Sequence, residues 1–75
     1  MDKKELIQRV SQRTNQDQKT VEEMLDATLE EIYESLKRSE SVSIRNFGTF
    51  YIRAGRDQHS VFKFNPGQRL RQLFN

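Results

Sequence analysis

Apolar residues recur at helical spacing through the first forty residues of the chain. Across residues 19–38 they stand one, three or four positions apart, and glutamates fill many of the positions between them. This period predicts an amphipathic helix about 30 Å long, at about 1.5 Å per residue. A shorter helix is predicted across residues 2–13, where Asp2 and Glu5 have the spacing of a capping box. Asp17 lies where a side-chain cap for the long helix is expected.

Beyond residue 40 the apolar residues alternate with polar ones, a pattern typical of half-buried strands. Strands are predicted at residues 41–45, 49–53 and 61–64, with turns between them. Asn65 is then predicted to cap a short final helix that begins at Pro66, because proline favours the first helical position. The order α-α-β-β-β-α indicates a single α+β domain that spans the whole chain.

The apolar faces of these elements are large for a chain of 75 residues. A domain of this size has a marginal core, and the absence of cysteine excludes disulfides and thiolate metal sites as further stabilisation. We therefore expect an obligate homodimer, with residues 1–40 as its helical dimerisation part and residues 41–75 as the sheet and last helix. The expected dimer core consists of Leu25, Leu29, Ile32, Leu36, Phe47, Phe50 and Phe64.

The alternation within the strands separates two sets of side chains. Phe50 and Ile52 are expected on one face of the second strand, and Tyr51 and Arg53 on the other. The phenylalanines have an alternative role as stacking platforms for nucleic-acid bases. Because Phe50 and Phe64 alternate onto the buried side, the core interpretation is favoured.

The net charge of +2 conceals opposite charges in the two halves of the chain. Residues 1–40 carry seven basic and ten acidic side chains, a net charge of −3, whereas residues 41–75 carry six basic and one acidic, a net charge of +5. Such a distribution is typical of a protein that binds a polyanion on one side, although an uneven soluble surface is the alternative. The glutamates of the long helix are interpreted as a solvated face, with a surface for a protein partner as the alternative.

Several classes of function have no supporting residues in this sequence. There is no cysteine nucleophile and no glycine-rich phosphate loop, and the single histidine, His59, lies in a predicted turn. We therefore expect no enzymatic activity, no cofactor and no metal site. No apolar run is long enough for a signal sequence or a membrane span, so a soluble intracellular protein without a membrane partner is expected.

The sequence V-S-I-R-N-F-G-T-F at residues 42–50 resembles the HU and integration host factor family of bacterial nucleoid proteins. The first helix with its ELI, the long helix ending in ESLK, and F-N-P-G-Q-R-L-R at residues 64–71 extend the resemblance over nearly the whole chain. The resemblance implies an HU-like intertwined dimer, in which two N-terminal helices form the base. A three-stranded antiparallel sheet from each subunit forms a saddle over DNA, followed by a short C-terminal helix. It also implies a location on the cytoplasmic nucleoid.

The chain departs from this family between its second and third strands. Family members extend these strands into a long arm, whose Gly-Arg-Asn-Pro-like tip inserts a proline between base steps and kinks the duplex. Here Gly55 and Arg56 are followed by Asp57 and Gln58 instead, and only about eight residues separate Ile52 from Val61. We therefore expect a truncated arm that lacks the intercalating proline.

The basic half provides the predicted DNA contacts. By resemblance, Arg53, Lys63, Asn65 and Gln68 match positions that contact phosphate in the family, although the family usually has lysine or arginine in place of Gln68. The full predicted set is Arg45, Asn46, Arg53, Arg56, Lys63, Asn65, Gln68, Arg69 and Arg71. The predicted function is that of an architectural dimer that binds duplex DNA through phosphates, largely without sequence preference, and bends it weakly or not at all. The alternative is an HU-like protein-interaction or regulatory module that has lost DNA binding, but the basic saddle favours the first interpretation.

Overall fold

The computed structural model describes residues 1–55 and 59–74. Within these residues the elements follow the predicted order: α1 (Lys3–Thr14), α2 (Gln18–Lys37), β1 (Val42–Ile44), β2 (Gly48–Ala54), β3 (Ser60–Pro66) and α3 (Gln68–Gln72). The predicted α+β class is confirmed. The chain forms two compact units, one of Met1–Glu31 and one that begins at Ile32. No helix in the described part of the chain is both long enough and apolar enough to cross a membrane.

Both helices of the N-terminal half begin at the predicted capping residues. The Asp2 carboxylate accepts a hydrogen bond of 2.9 Å from the backbone N–H of Glu5. The Asp17 carboxylate accepts two from Thr20, one of 3.0 Å from the backbone N–H and one of 2.7 Å from the hydroxyl. Each cap satisfies a donor that the first helical turn leaves unpaired. Asn15, with φ of 55°, ends α1 in the left-handed conformation.

The stabilisation of the fold by the Asp17 cap should depend on pH. Hydrogen bonds from the Thr20 hydroxyl and then from the Thr20 backbone hold the pKa of Asp17 below its usual value of 3.8. Because the folded pKa lies below the unfolded one, the carboxylate stabilises the fold fully above about pH 4, and this contribution is lost as the pH falls through the folded value. We expect Asp17→Ala to lower the melting temperature at neutral pH. The difference in melting temperature between the variant and the wild type should shrink as the pH falls.

Thermal melts followed by circular dichroism across this pH range test the prediction. Asp17→Asn is the matched control, because asparagine keeps a capping acceptor but has no titrating carboxyl group. A difference between Asp17→Ala and the wild type that stays constant with pH would contradict it.

The first unit has a small apolar interior between its two helices. Among the described residues of the chain, the buried apolar side chains are Ile7, 6% exposed, and Val21, 8% exposed. Lys3 joins α1 to α2 through contacts of 2.8 Å with Asp26 and 3.8 Å with Glu22. These pairs are about half exposed, so they contribute modestly to stability.

The second unit contains a three-stranded antiparallel sheet in the order β1-β2-β3. Val42 lies opposite Phe50 in the β1–β2 pair, and Phe50 lies opposite Phe64 in the β2–β3 pair. Since alternate residues of a strand share a face, this register collects the apolar side chains on one side. We call this side the apolar sheet face; it consists of Val42, Ile44, Phe50, Ile52, Phe62 and Phe64.

The start of the last helix differs from the prediction. β3 continues through Asn65 and Pro66, so Asn65 is not a helix cap and Pro66 is not the first helical residue. Gly67 is the N-cap residue, and α3 begins at Gln68. The edge position of β3 tolerates a proline that has no N–H to donate. The backbone N–H of Gly67 donates to the carbonyl of Phe47 at 2.7 Å, which holds the chain against the β1–β2 turn as it leaves the sheet.

Four phenylalanines form a cluster on and beside the apolar sheet face. The ring centroids of Phe50 and Phe64 are 4.8 Å apart, those of Phe47 and Phe64 are 5.6 Å apart, and those of Phe50 and Phe62 are 6.0 Å apart. Gly48 makes this packing possible, because a Cβ there would lie 2.5 Å from the Phe64 ring. Its φ of 155° also disfavours any other residue.

The predicted dimer core is incompletely covered within one chain. Six of its seven residues are half-buried, and the seventh, Phe47, is 47% exposed. Phe62 and Ile44, which lie on the apolar sheet face, are 54% and 42% exposed. Phe62 was not among the predicted core residues, although its alternation with Lys63 put it on the same face as Phe64. The sheet therefore presents an aromatic surface that a single chain leaves partly open.

Candidate nucleic-acid interface

The second side of the sheet carries hydrogen-bonding and cationic groups. The strand register sets these residues in rows: Ser43 beside Thr49 and Asn65, then Tyr51 beside Lys63, then Arg53 beside Val61. Because side chains alternate along each strand, all of them lie opposite the apolar sheet face. We call this side the polar sheet face; it consists of Ser43, Thr49, Tyr51, Arg53, Val61, Lys63 and Asn65.

The polar sheet face brings three predicted DNA-contact residues together. Arg53 and Lys63 are diagonal neighbours on adjacent strands, a relation that separates backbone positions by about 7–8 Å. Asn65 lies one row beyond Lys63, opposite Thr49, whose hydroxyl donates to the Ser43 hydroxyl at 3.1 Å. The face thus grades from uncharged hydrogen-bonding groups at one end to cations towards the β2–β3 hairpin end.

A second group of predicted residues meets where the β1–β2 turn contacts α3. Arg45 and Asn46 lie in this turn, and Asn46 has a left-handed φ of 68°. The turn and α3 enclose a shallow groove of about 280 Å³. We call it the turn–helix groove; it is lined by Arg45, Asn46, Phe47, Arg69, Leu70 and Leu73.

Gly67 makes the contact between the turn and α3 possible. A Cβ at Gly67 would lie 2.7 Å from the carbonyl carbon of Asn46 and 3.0 Å from that of Phe47. Its φ of −81° is open to any residue, so the requirement for glycine is one of space and not of backbone conformation. This close approach brings Arg69 to the same groove as Arg45.

The described cations of residues 41–75 are available for an external anion. Each of them is exposed, and none forms an ion pair with a carboxylate in the described part of the chain. By contrast, Lys3, Arg9 and Arg38 each lie within 4 Å of a carboxylate. These available cations are Arg45, Arg53, Lys63, Arg69 and Arg71.

Three further predicted contacts belong neither to the polar sheet face nor to the lining of the turn–helix groove as the structure describes them. Gln68 is the first residue of α3, and Arg71 follows on the same helix without lining the groove. Arg56 lies outside the described residues. Sequence reasoning assigned no contact to Tyr51, although the alternation had already put it on the same face as Arg53.

The β2–β3 hairpin is short. Strand pairing runs from Gly48 opposite Pro66 to Ala54 opposite Ser60. Beyond the last pair, the backbone N–H of Gly55 donates to the carbonyl of His59 at 2.6 Å. The connection outside the strands is therefore residues 55–59, and each strand of the pair extends about 20 Å.

Known proteins resemble this chain in sequence and in its combination of helices and strands. A family model described as bacterial DNA-binding protein matches residues 1–59. The DNA-binding protein HU of Thermotoga maritima is 37% identical, over 96% of this chain and 97% of that protein. The chain belongs to the HU family of bacterial DNA-binding proteins.

Solved HU structures confirm the HU-like fold. A mutant of HU from Thermotoga maritima superimposes with a TM-score of 0.90 at 39% identity, over the full length of both chains. HU from Thermotoga maritima itself gives a TM-score of 0.86 at the same identity and coverage. A cocrystal structure of Anabaena HU with DNA gives a TM-score of 0.84 at 26% identity, over 97% of this chain and 96% of that one.

Proposed function

We propose that this HU-family chain is an architectural protein that binds the backbone of duplex DNA. The observation that carries the proposal is the set of exposed cations on the polar sheet face and around the turn–helix groove. These cations form no ion pair with a carboxylate in the described part of the chain. An HU relative crystallised with DNA supports it. Binding to the chromosome implies that the protein works on the nucleoid, in the cytoplasm, and it involves no catalytic step.

Phosphate contacts account for the proposed affinity. Lysine and arginine that neutralise phosphates release condensed counterions, so binding weakens steeply as salt rises. Arg53 and Lys63 supply such contacts, and the neutral Asn65 and Thr49 can donate to phosphate oxygens beside them. Because these groups meet the backbone and not the base edges, we expect little sequence preference.

The short hairpin is the reason that we propose little bending. Strong kinks require either a side chain wedged between base steps or enough wrapped surface to offset a deformation cost of several kcal/mol. The one proline of the sequence, Pro66, is paired within the sheet opposite Gly48 and is not at the hairpin end. The alignment with Thermotoga HU spans 87 positions, more than the 75 residues of this chain, so that relative has residues that this chain lacks. We propose that the missing residues belong to the arm.

We further propose that the working unit is a homodimer. The apolar sheet face is aromatic and uncharged, and Phe62 and Phe47 remain about half exposed on and beside it. An aromatic surface of this kind is suited to burial against another chain. A second copy offers a matching surface, because a two-fold interface joins the same patch on both subunits. The proposed interface contains Leu25, Leu29, Ile32, Leu36, Phe47, Phe50 and Phe64, together with Phe62.

Two measurements test the proposed function. Sedimentation velocity should give a dimer at micromolar protein concentration, and a folded monomer there would contradict the homodimer. Fluorescence anisotropy with labelled duplexes of unrelated sequence should give similar affinities that fall together as salt rises. An affinity insensitive to salt, or no binding at low salt, would contradict DNA binding. The second of these results would favour a protein-interaction module that uses the acidic helical face.

A further inference from the structure

Tyr51 is an aromatic residue on the cationic side of the sheet. The phenylalanines of β2 and β3 lie on the apolar sheet face, where their rings contact one another. Tyr51 lies on the polar sheet face, half-buried, and neither its ring nor its hydroxyl contacts a described residue through a ring contact or a hydrogen bond. The aromatic cluster therefore does not explain why an aromatic residue stands at this position.

The neighbours of Tyr51 on that face have cationic or hydroxyl side chains, the kinds of group that contact phosphate in complexes with DNA. Lys63 lies directly opposite on β3, and Arg53 and Thr49 lie two residues away along β2. Proteins that bind single strands combine an aromatic side chain, on which a base stacks, with cations that follow the backbone. An antiparallel sheet is one established support for this combination, since its exposed face presents both kinds of side chain together.

We propose that Tyr51 is a base-stacking residue of the polar sheet face: on single-stranded DNA its ring stacks on an unpaired base while Lys63 and Arg53 contact the flanking phosphates. The inference rests on the proposed function, because both modes of binding use the same cations. In an intact duplex the faces of the bases are covered by their neighbours in the stack. The ring of Tyr51 therefore contributes to binding only where bases are unpaired.

A contact through the Tyr51 hydroxyl would behave differently. A hydroxyl that donates to a phosphate oxygen can do so on single strands and on duplexes alike. Removing it would weaken both, and Tyr51→Phe would be as impaired as Tyr51→Ala. Stacking, in contrast, depends on the ring that phenylalanine retains, so the two substitutions separate the two kinds of contact.

Intrinsic tyrosine fluorescence gives a direct readout of stacking. The chain has two tyrosines, Tyr33 and Tyr51, and no tryptophan. Tyr33, 60% exposed on α2, is outside the proposed site, so Tyr33→Phe leaves Tyr51 as the sole emitter in an otherwise native chain. Titration of this variant with oligothymidylate should quench the emission, and titration with a blunt duplex of the same length should leave it nearly unchanged.

The binding of the variants supplies the second readout. We expect Tyr51→Ala to weaken oligothymidylate binding at least about five-fold, the lower limit for loss of a stacked base, and to leave duplex affinity unchanged. Tyr51→Phe should keep most of the single-strand affinity. Melting curves establish that both variants are folded, and Tyr33→Phe is the matched control.

The outcomes separate this inference from the proposed function. Salt-dependent duplex binding without quenching by oligothymidylate would show the inference to be wrong while the proposed function stands. Equal losses for duplex and single strand in both Tyr51 variants would assign a hydroxyl contact to phosphate and overturn stacking. Absence of binding to either form of DNA would overturn both proposals.

Discussion

Phe50→Ala is expected to abolish most of the folded protein, and with it the proposed homodimer. The Phe50 ring contacts those of Phe64, Phe62 and Phe47, with centroids 4.8, 6.0 and 6.2 Å away. Truncating a phenylalanine in a packed core costs about 3–5 kcal/mol of stability. The cost combines the lost burial of the removed apolar atoms with the penalty for the cavity that they leave. Small domains have a total stability of about 5–15 kcal/mol, so a loss of this size leaves little margin. Thermal melts and sedimentation velocity together measure the loss of fold and of dimer.

Phe74→Ala is the matched control for this substitution. It removes the same atoms from a side chain that is 82% exposed and lies beyond the end of α3. We expect it to melt close to the wild type, since surface substitutions usually change stability by less than about 0.5 kcal/mol. If Phe50→Ala melted together with Phe74→Ala, Phe50 would not belong to the core.

The double variant Arg53→Ala with Lys63→Ala is expected to lose most duplex binding. In the proposed dimer it removes four cations from the polar sheet face. Each phosphate contact contributes about 0.9 to the slope of log affinity against log salt, so the slope should become shallower by about 3–4. Affinity at low salt should fall to a similar extent on all sequences, because these contacts carry no base readout. Anisotropy titrations at several salt concentrations measure both quantities.

A charge-matched control distinguishes the polar sheet face from general electrostatics. Arg13→Ala with Lys19→Ala removes the same charge from exposed positions in the first unit, outside the predicted contact set. This variant should retain the wild-type salt slope. Equal flattening in the two double variants would mean that net charge, and not the polar sheet face, governs binding.

The parts of the fold that were predicted correctly depend on short-range rules. The caps at Asp2 and Asp17 follow from side-chain bonds to residues three positions later. The two faces of the sheet follow from the period of two along a strand, which separated Phe50 from Tyr51 before any pairing was known. In each case the deciding contact lies within a few residues, so the local sequence contains it.

The start of α3 was predicted wrongly because a distant contact decides it. A proline preceded by asparagine suits both the first turn of a helix and the end of an edge strand. What separates the two is the bond from Gly67 to Phe47, which joins residues twenty positions apart. The same limit applies to the turn–helix groove, which depends on that close approach.

The bond from Gly55 to His59 has a consequence for how proteins of this shape diversify. It leaves the ends of two paired strands side by side at the margin of the sheet, with all seven β2–β3 pairs behind them. An insertion at this point disturbs none of those pairs, and each doubling of a flexible connection costs only about 0.6 kcal/mol in closure entropy. The length of the β2–β3 hairpin, and with it the distance that the hairpin can extend around a ligand, can therefore change by insertion or deletion. The paired strands of the sheet stay unchanged.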